Sequence, residues 1–333
     1  MAESLREISS VDNSRRQNLL PSARQWQLHG ALFALTILTT LITGIAQNTD
    51  VPFAEPALNT PADYLLYLPL AYVHGLKAYL QFAILNPETL FTAITFSGCL
   101  LTILFAHEMG HYLACRYYKV DATLPYFIPA PPLVGAGTFG AFIKIRSQIP
   151  NRRALFDIGL AGPLAGFVFA LPVSIVGILT MRAPLAHGSG IYFNDPLLFR
   201  ILARVMGIQL DPNSPTNPYY MAAWIGLLVT SLNLMPVGQL DGGHGTFAVF
   251  GQKAHRIIGR AAFAIMATLA ILGFWWHGSP SGFIYTVLLG IMLRVKHPQP
   301  PVMEPLGKKR VVIAIVTLIV FALCFWPFPI TIV

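Results

Sequence analysis

Apolar residues along this chain neither alternate nor keep to one helical face. They run on for about the depth of a bilayer and then give way to short polar stretches, most of them basic. A helix rising 1.5 Å per residue needs about 20 mostly apolar residues to cross a hydrocarbon core of roughly 30 Å. Runs near that length lie at 29–47, 89–115, 154–181, 219–237, 257–276 and 311–332, and a shorter run at 281–294 reaches it if its flanks are counted. The pattern predicts an all-α polytopic membrane protein of about seven transmembrane helices.

Composition agrees. Of the 333 residues, 55% are hydrophobic and 11% charged, where a soluble domain carries about 25% charged residues. The net charge of +8 does not point to nucleic acid, because the basic residues sit in short loops beside apolar runs, as membrane orientation requires. Cys99, Cys115 and Cys324 each lie in or beside an apolar run, with neither a CxxC pair nor an even framework. They read as small buried apolar residues. The polar stretch 1–27 is too long for the leading region of a secretory signal, and the run after it lacks a small-x-small cleavage site, so it reads as a retained span.

Loop charge sets the expected topology. Arg6, Arg15, Arg16 and Arg24 place the N-terminal tail in the cytoplasm, and Asp50, Glu55 and Asp63 make the next loop external. Each returning span then lands on a basic loop: Arg116 to Arg153, Lys253 to Arg260, and Arg294 to Arg310. The segment 64–85 is apolar but holds Pro69, His74 and Lys77. If it spanned, those basic loops would be inverted, so it is expected to be an interfacial or re-entrant helix on the outer face.

The stretch 123–143 is apolar yet rich in Pro and Gly, which rules out a simple helix. Irregular backbone at membrane depth survives only beside protein or water. A short membrane-dipping β element is expected here, with 138–145 as strand or hairpin. Gly162 and Gly166 form a GxxxG pair flanked by Ala161 and Ala165, a spacing that lets helices approach closely. Asp157, in the first turn of that helix, is expected to complement the helix dipole and to pair with Arg152 or Arg153.

The chemistry concentrates in two places. The second span ends in His107-Glu108-Met109-Gly110-His111, an HExxH sequence on a helix. Residues four apart project from one face, so His107 and His111 can both reach one Zn²⁺. Glu108 is offset by about 100° and can meet a water at the metal without being a ligand, which is the position of a general base. Three ionisable residues in five at the end of an apolar helix are costly unless they act. A catalytic zinc takes a third protein ligand and keeps one position open. The acidic residues in or beside the spans are Glu88, Glu108, Asp157 and Asp241. Glu88 is at the wrong end of its helix, and Glu108 and Asp157 have other roles. Asp241 remains, at the same end of its span as the histidines. Pro236 and Gly238 are expected to break the helix before it. Asn233 is either an oxyanion donor or a helix–helix hydrogen-bonding group. His244 is either a further donor at the site or a polar residue at a helix exit.

Four motifs in this order, HEMGH, GTFGAFIKIRS, FDIGLAGPLAG and NLMPVGQLDGGH, together resemble the site-2 protease family of intramembrane zinc metalloproteases over about 87–250. The resemblance implies that His107, His111 and Asp241 bind zinc, that Glu108 activates water and that Asn233 helps hold the substrate carbonyl or oxyanion. It further implies that 135–145 pairs with an unwound substrate by strand addition. The loop 182–218 is too short for the PDZ domain that many bacterial members carry, and no regulatory nucleotide-binding tail follows the last span. The chain is thus similar to the PDZ-less branch that includes the chloroplast membrane proteases and their bacterial relatives.

The expected organisation is a cytoplasmic tail at 1–27 and a membrane-embedded metalloprotease domain at 28–333, core 87–250. The cofactor is Zn²⁺, and the partners are the bilayer and a membrane protein substrate with a transmembrane helix, without nucleic acid. The alternatives are a membrane metal transporter, which would carry ionisable residues stepping across the other spans, and a catalytically silent scaffold, which would have no need of Glu108.

Overall fold

The computed structural model describes residues 22–47, 61–132, 134–181, 191–210, 217–295, 297 and 300–332. Among these, helices and short strands follow in the order α1 (Ala23–Gln47), α2 (Pro61–Leu85), α3 (Pro87–Tyr117), β1 (Tyr126–Pro129), β2 (Thr138–Phe142), α4 (Arg152–Leu179), β3 (Ile191–Phe193), α5 (Leu197–Met206), α6 (Pro218–Asn233), α7 (Asp241–His277), α8 (Ser281–Arg294), α9 (Lys308–Cys324) and β4 (Ile330–Ile332).

The helix starts carry ordinary capping chemistry. Ser22 and Gln25 exchange side chain–backbone hydrogen bonds at the head of α1, a capping box that satisfies two free N–H groups. Asn151 accepts from the Ala154 N–H at 2.8 Å and Asn217 from the Tyr220 N–H at 2.8 Å, with Pro218 pre-set for the first turn of α6.

Four helices, Ala23–Gln47, Pro87–Tyr117, Arg152–Leu179 and Asp241–Trp276, are long and apolar enough to cross a membrane. Their outward faces are apolar too: Phe91 is 67% exposed, Val168 63% and Trp275 82%. In water such a surface would aggregate; in lipid it is matched. The chain is an integral membrane protein, mostly helical. The other apolar runs differ from the expected spans in length. The run 219–237 is helical only to Asn233, short of Pro236. The run 311–332 is helical to Cys324, after which Pro327 and Pro329 deny backbone donors, and Ile330–Ile332 instead pairs antiparallel with β3. Helix α2 contains Pro69 and is not among the four; it packs through Ala83 against Ile45 of α1 and Ala93 of α3.

The core lies where α3, α4 and α6 meet, around Phe96, Leu100, Leu155, Phe156 and Leu227. Strand β2 pairs antiparallel with β1, and β1 lies on α1, where Phe33 meets Phe127 at 4.7 Å and the His29 ring N–H donates to the Pro125 carbonyl at 3.0 Å. Asp121 and Arg146 and then Thr123 and Lys144 extend the pairing, so 121–130 and 137–146 form the two arms of one ribbon.

Asp157 pairs with an arginine, but not with its near neighbours. Arg310 in the first turn of α9 grips it with two bonds, Nε–Oδ1 at 2.9 Å and Nη2–Oδ2 at 2.6 Å, and also donates to the Tyr118 hydroxyl at 2.9 Å. Tyr118 donates in turn to Asp157. The planar guanidinium matches both carboxylate oxygens. Burial and then the Asp157 carboxylate push the Tyr118 phenol up to about 12, so it stays a donor. Arg152 instead donates to the carbonyls of Ala248 and Val249, and Arg153 turns to Glu304. The triad ties the ends of α3 and α9 to α4. Replacing Asp157 or Arg310 by Ala should each cost about 2 kcal/mol. Thermal unfolding in detergent should show the double variant costing clearly less than the sum; additive losses would mean that the pair does not couple the helices.

Candidate metal centre

Helix α3 brings His107 and His111 onto one face, and the break after α6 delivers Asp241 as the first residue of α7. His107 Nε2 and His111 Nε2 are 3.2 Å apart, and each is 3.3 Å from Asp241 Oδ2. Three donors held about 2.0–2.1 Å from one tetrahedral ion lie roughly 3.3 Å from one another, so this triangle has the size that zinc needs. It is the only such group of three or more potential ligand residues among the described residues. The site is dry: His107, Glu108 and His111 are all buried, and the Asp241 side chain is 16% exposed.

The proton positions point the same way. His111 Nδ1 lies 2.7 Å from the Ile158 carbonyl, which only accepts, so Nδ1 carries the hydrogen. In the neutral ring Nε2 then presents a bare lone pair toward the Asp241 carboxylate, the arrangement that a metal cation satisfies.

Close packing of α4 makes room for the imidazoles. A Cβ built on Gly162 would collide with the His111 ring, one on Gly166 would lie 3.2 Å from His107 Cβ, and one on Gly110 would meet the Ala161 carbonyl. The small residues are therefore helix-packing residues, as expected, but what they pack against is the donor pair itself.

The remaining candidate residues are placed as follows. Asn233, the last residue of α6, sets its Nδ2 3.2 Å from His107 Nε2. The backbone N–H of Ile143, immediately after β2, faces the Glu108 carboxyl. His244 does not join the donor triangle. Its Nδ1 lies 2.7 Å from His297 Nε2, His297 stacks on Phe247 at 4.2 Å, and His255 bonds Thr246 at 3.0 Å. His255 and His297 were invisible as partners, since nothing in sequence relates positions so far apart. The Ile158 and Ile143 backbone groups carry no residue signal at all; only Gly162 did, through its spacing.

Gly162→Ala should therefore displace the His111 imidazole while leaving the helices intact. The expected outcome is metal binding weakened about 10- to 100-fold at unchanged helical circular dichroism. Bound metal per chain checks it, and full occupancy in the variant would show that the ring can yield.

The chain matches the profile of peptidase family M50 over residues 95–274. Among curated proteins it is 30% identical over 265 residues to probable zinc metalloprotease EGY1, chloroplastic, of Oryza sativa subsp. japonica, covering 75% of this chain and 42% of that protein. The Arabidopsis thaliana protein of the same name is 31% identical over 257 residues, covering 73% and 43%. Probable zinc metalloprotease EGY2, chloroplastic, of Arabidopsis thaliana is 29% identical over 299 residues, covering 85% and 50%. This chain thus spans half or less of the length of these relatives. Among solved structures, the site-2 protease from Methanocaldococcus jannaschii covers 69% of this chain and 91% of its own at 15% identity and a TM-score of 0.33, too slight a likeness to bear on the fold. With more than half of the chain matched, and with the HExxH pair inside the matched region, the chain belongs to peptidase family M50.

Proposed function

We propose that the chain is an intramembrane zinc metalloprotease that hydrolyses peptide bonds in or near transmembrane segments of membrane proteins. The observation that carries this is the buried triangle of His107, His111 and Asp241, with edges of 3.2–3.3 Å, beside the buried carboxyl of Glu108. The curated relatives are themselves named zinc metalloproteases.

His107, His111 and Asp241 would hold the zinc, which when bound acidifies water and polarises a carbonyl. Glu108 takes the proton from the attacking water and passes it to the leaving amine. The Ile143 N–H facing it sets the carboxylate between the ribbon and the donors. Asn233 offers its amide to the oxygen that gains charge in the transition state. The ribbon supplies the substrate's place. Among the described residues β2 has a strand partner on one side only, and Phe139 and Phe142 are exposed along it. A substrate helix unwound at the scissile bond adds to that free edge by backbone hydrogen bonds, next to Glu108.

In this reading 28–333 is one membrane-embedded domain with its core at 87–250 and a tail at 1–27, most of which lies outside the described residues. Seven helices span: α1, α3, α4, α6, α7, α8 and α9. Helix α2 lies on the outer face, and the ribbon dips into the bilayer from the cytoplasmic side. The basic loops support a cytoplasmic N-terminus and a metal centre near that side. A transporter reading lacks a second donor group along the described spans, and a silent scaffold has no use for a buried Glu108.

The test uses the full chain in proteoliposomes with a single-span reporter protein. Wild type should carry about one zinc and cleave. Glu108→Gln should keep zinc and lose roughly 100-fold or more in rate, and Asp241→Ala should lose both. Unchanged cleavage by Glu108→Gln, or a folded wild type that takes up no zinc even on reconstitution, would sink the proposal.

A further inference from the structure

Away from the metal centre, α7 and α8 pack antiparallel with a readable register. A Cβ on Gly259 would meet Leu293 at 3.5 Å, one on Gly290 would meet Phe263 at 3.3 Å, and one on Gly282 would meet the Ala270 backbone at 2.8 Å. Positions 259, 263 and 270 thus face 293, 290 and 282. This register sets Arg256 and Arg260, one turn apart on α7, level with Arg294 in the last turn of α8. All three line a groove of about 670 Å³ whose other walls include Phe263, Val287 and Ile291.

Three arginines around one cavity need a counter-charge, and the described residues supply none. No acidic residue occurs between Asp241 and Glu304. Among the described residues none of the three arginines has a carboxylate partner, and all three are exposed. Membrane orientation alone would be served by cations anywhere in the loop; it does not call for three of them converging on a groove between two helices.

The depth and the apolar wall identify the missing anion. From Arg260 to the end of α7 the helix rises about 25 Å, close to the hydrocarbon thickness, so the arginines stand at headgroup level. Beyond them the groove turns apolar: Val287 is 62% and Ile291 54% exposed. We propose that the groove between α7 and α8 binds an anionic phospholipid. Its phosphate is held by the guanidinium forks of Arg256, Arg260 and Arg294, and its acyl chains lie over Phe263, Val287 and Ile291. Basic pockets between helices at the headgroup level are suited to such lipids. The ligand is a lipid and not a soluble anion, because a small ion would leave the apolar wall uncovered.

The test is native mass spectrometry of the full chain in mild detergent, titrated with phosphatidylglycerol or phosphatidylcholine of identical acyl chains. Wild type should retain phosphatidylglycerol at concentrations roughly tenfold or more below those for phosphatidylcholine. The triple variant R256Q/R260Q/R294Q should lose that preference, and K308Q/K309Q, which removes cations elsewhere, should keep it. Millimolar inorganic phosphate should fail to displace the lipid. Should the triple variant unfold, Arg294→Gln alone decides, with a several-fold loss expected. Equal retention of the two lipids by wild type, preference undiminished in the arginine variants, its loss in K308Q/K309Q, or displacement by phosphate would each overturn the proposal, the last in favour of a soluble-anion site.

Discussion

The structure depends on the close approach of α3 to α4. Two imidazoles cannot be buried at the end of an apolar helix unless their nitrogens are used and their rings are surrounded. Helix α4 provides the surroundings by having no side chain where the rings lie. At Gly162 the first atom of any side chain would occupy the His111 ring, and at Gly110 the same holds in reverse against the Ala161 carbonyl. The backbones therefore come close enough for the Ile158 carbonyl to accept a hydrogen bond from the His111 Nδ1–H. That single bond sets the tautomer, and the tautomer decides where the free lone pair points. Without the approach the ring would have neither a fixed orientation nor a dry environment.

The chemistry was legible because it is local or nearly unique. HExxH declares itself on one helix face, and Asp241 was reachable by elimination because so few carboxylates lie near the spans. The break was legible for the same reason, since Pro236 and Gly238 lie between the end of one helix and Asp241; that Asp241 starts the next helix was not. What could not be read is whatever joins distant positions or uses backbone alone. Asp157 has arginines four and five positions before it, yet takes Arg310 from the far end of the chain, while Arg152 and Arg153 bond elsewhere. The pairing of His244 with His297 and the strand partner of β2 are of the same kind. Hydropathy, for its part, measures apolarity and not conformation. The run 311–332 stays apolar past Cys324, where two prolines have already ended the helix.

Helix α7 shows how one long element serves two ends. At Gly251 the backbone takes φ 78° and ψ 176°, values that break the helix and that L side chains avoid. The break leaves carbonyls of the preceding turn without their usual donors, and Arg152 donates to those of Ala248 and Val249. The short segment before Gly251 can then follow the metal centre, while the longer segment after it follows α8. A continuous helix would force one direction on both.

These attachments share a reference. Along α4, Arg152 holds the broken end of the first segment of α7, and Asp157 holds α9 and the end of α3. Ile158 sets the tautomer of His111, a Cβ at Gly159 would meet that of His244, and Gly162 and Gly166 accept the two histidines. The three candidate donors come from α3 and α7, and α4 contributes none of them. It supplies instead the surface against which the donors are located, so a displacement of α4 would change all three donor positions together. A helix with no ligand of its own can thus matter to the metal as much as the helices that carry the ligands. The small residues that made it look like ordinary membrane packing are the reason.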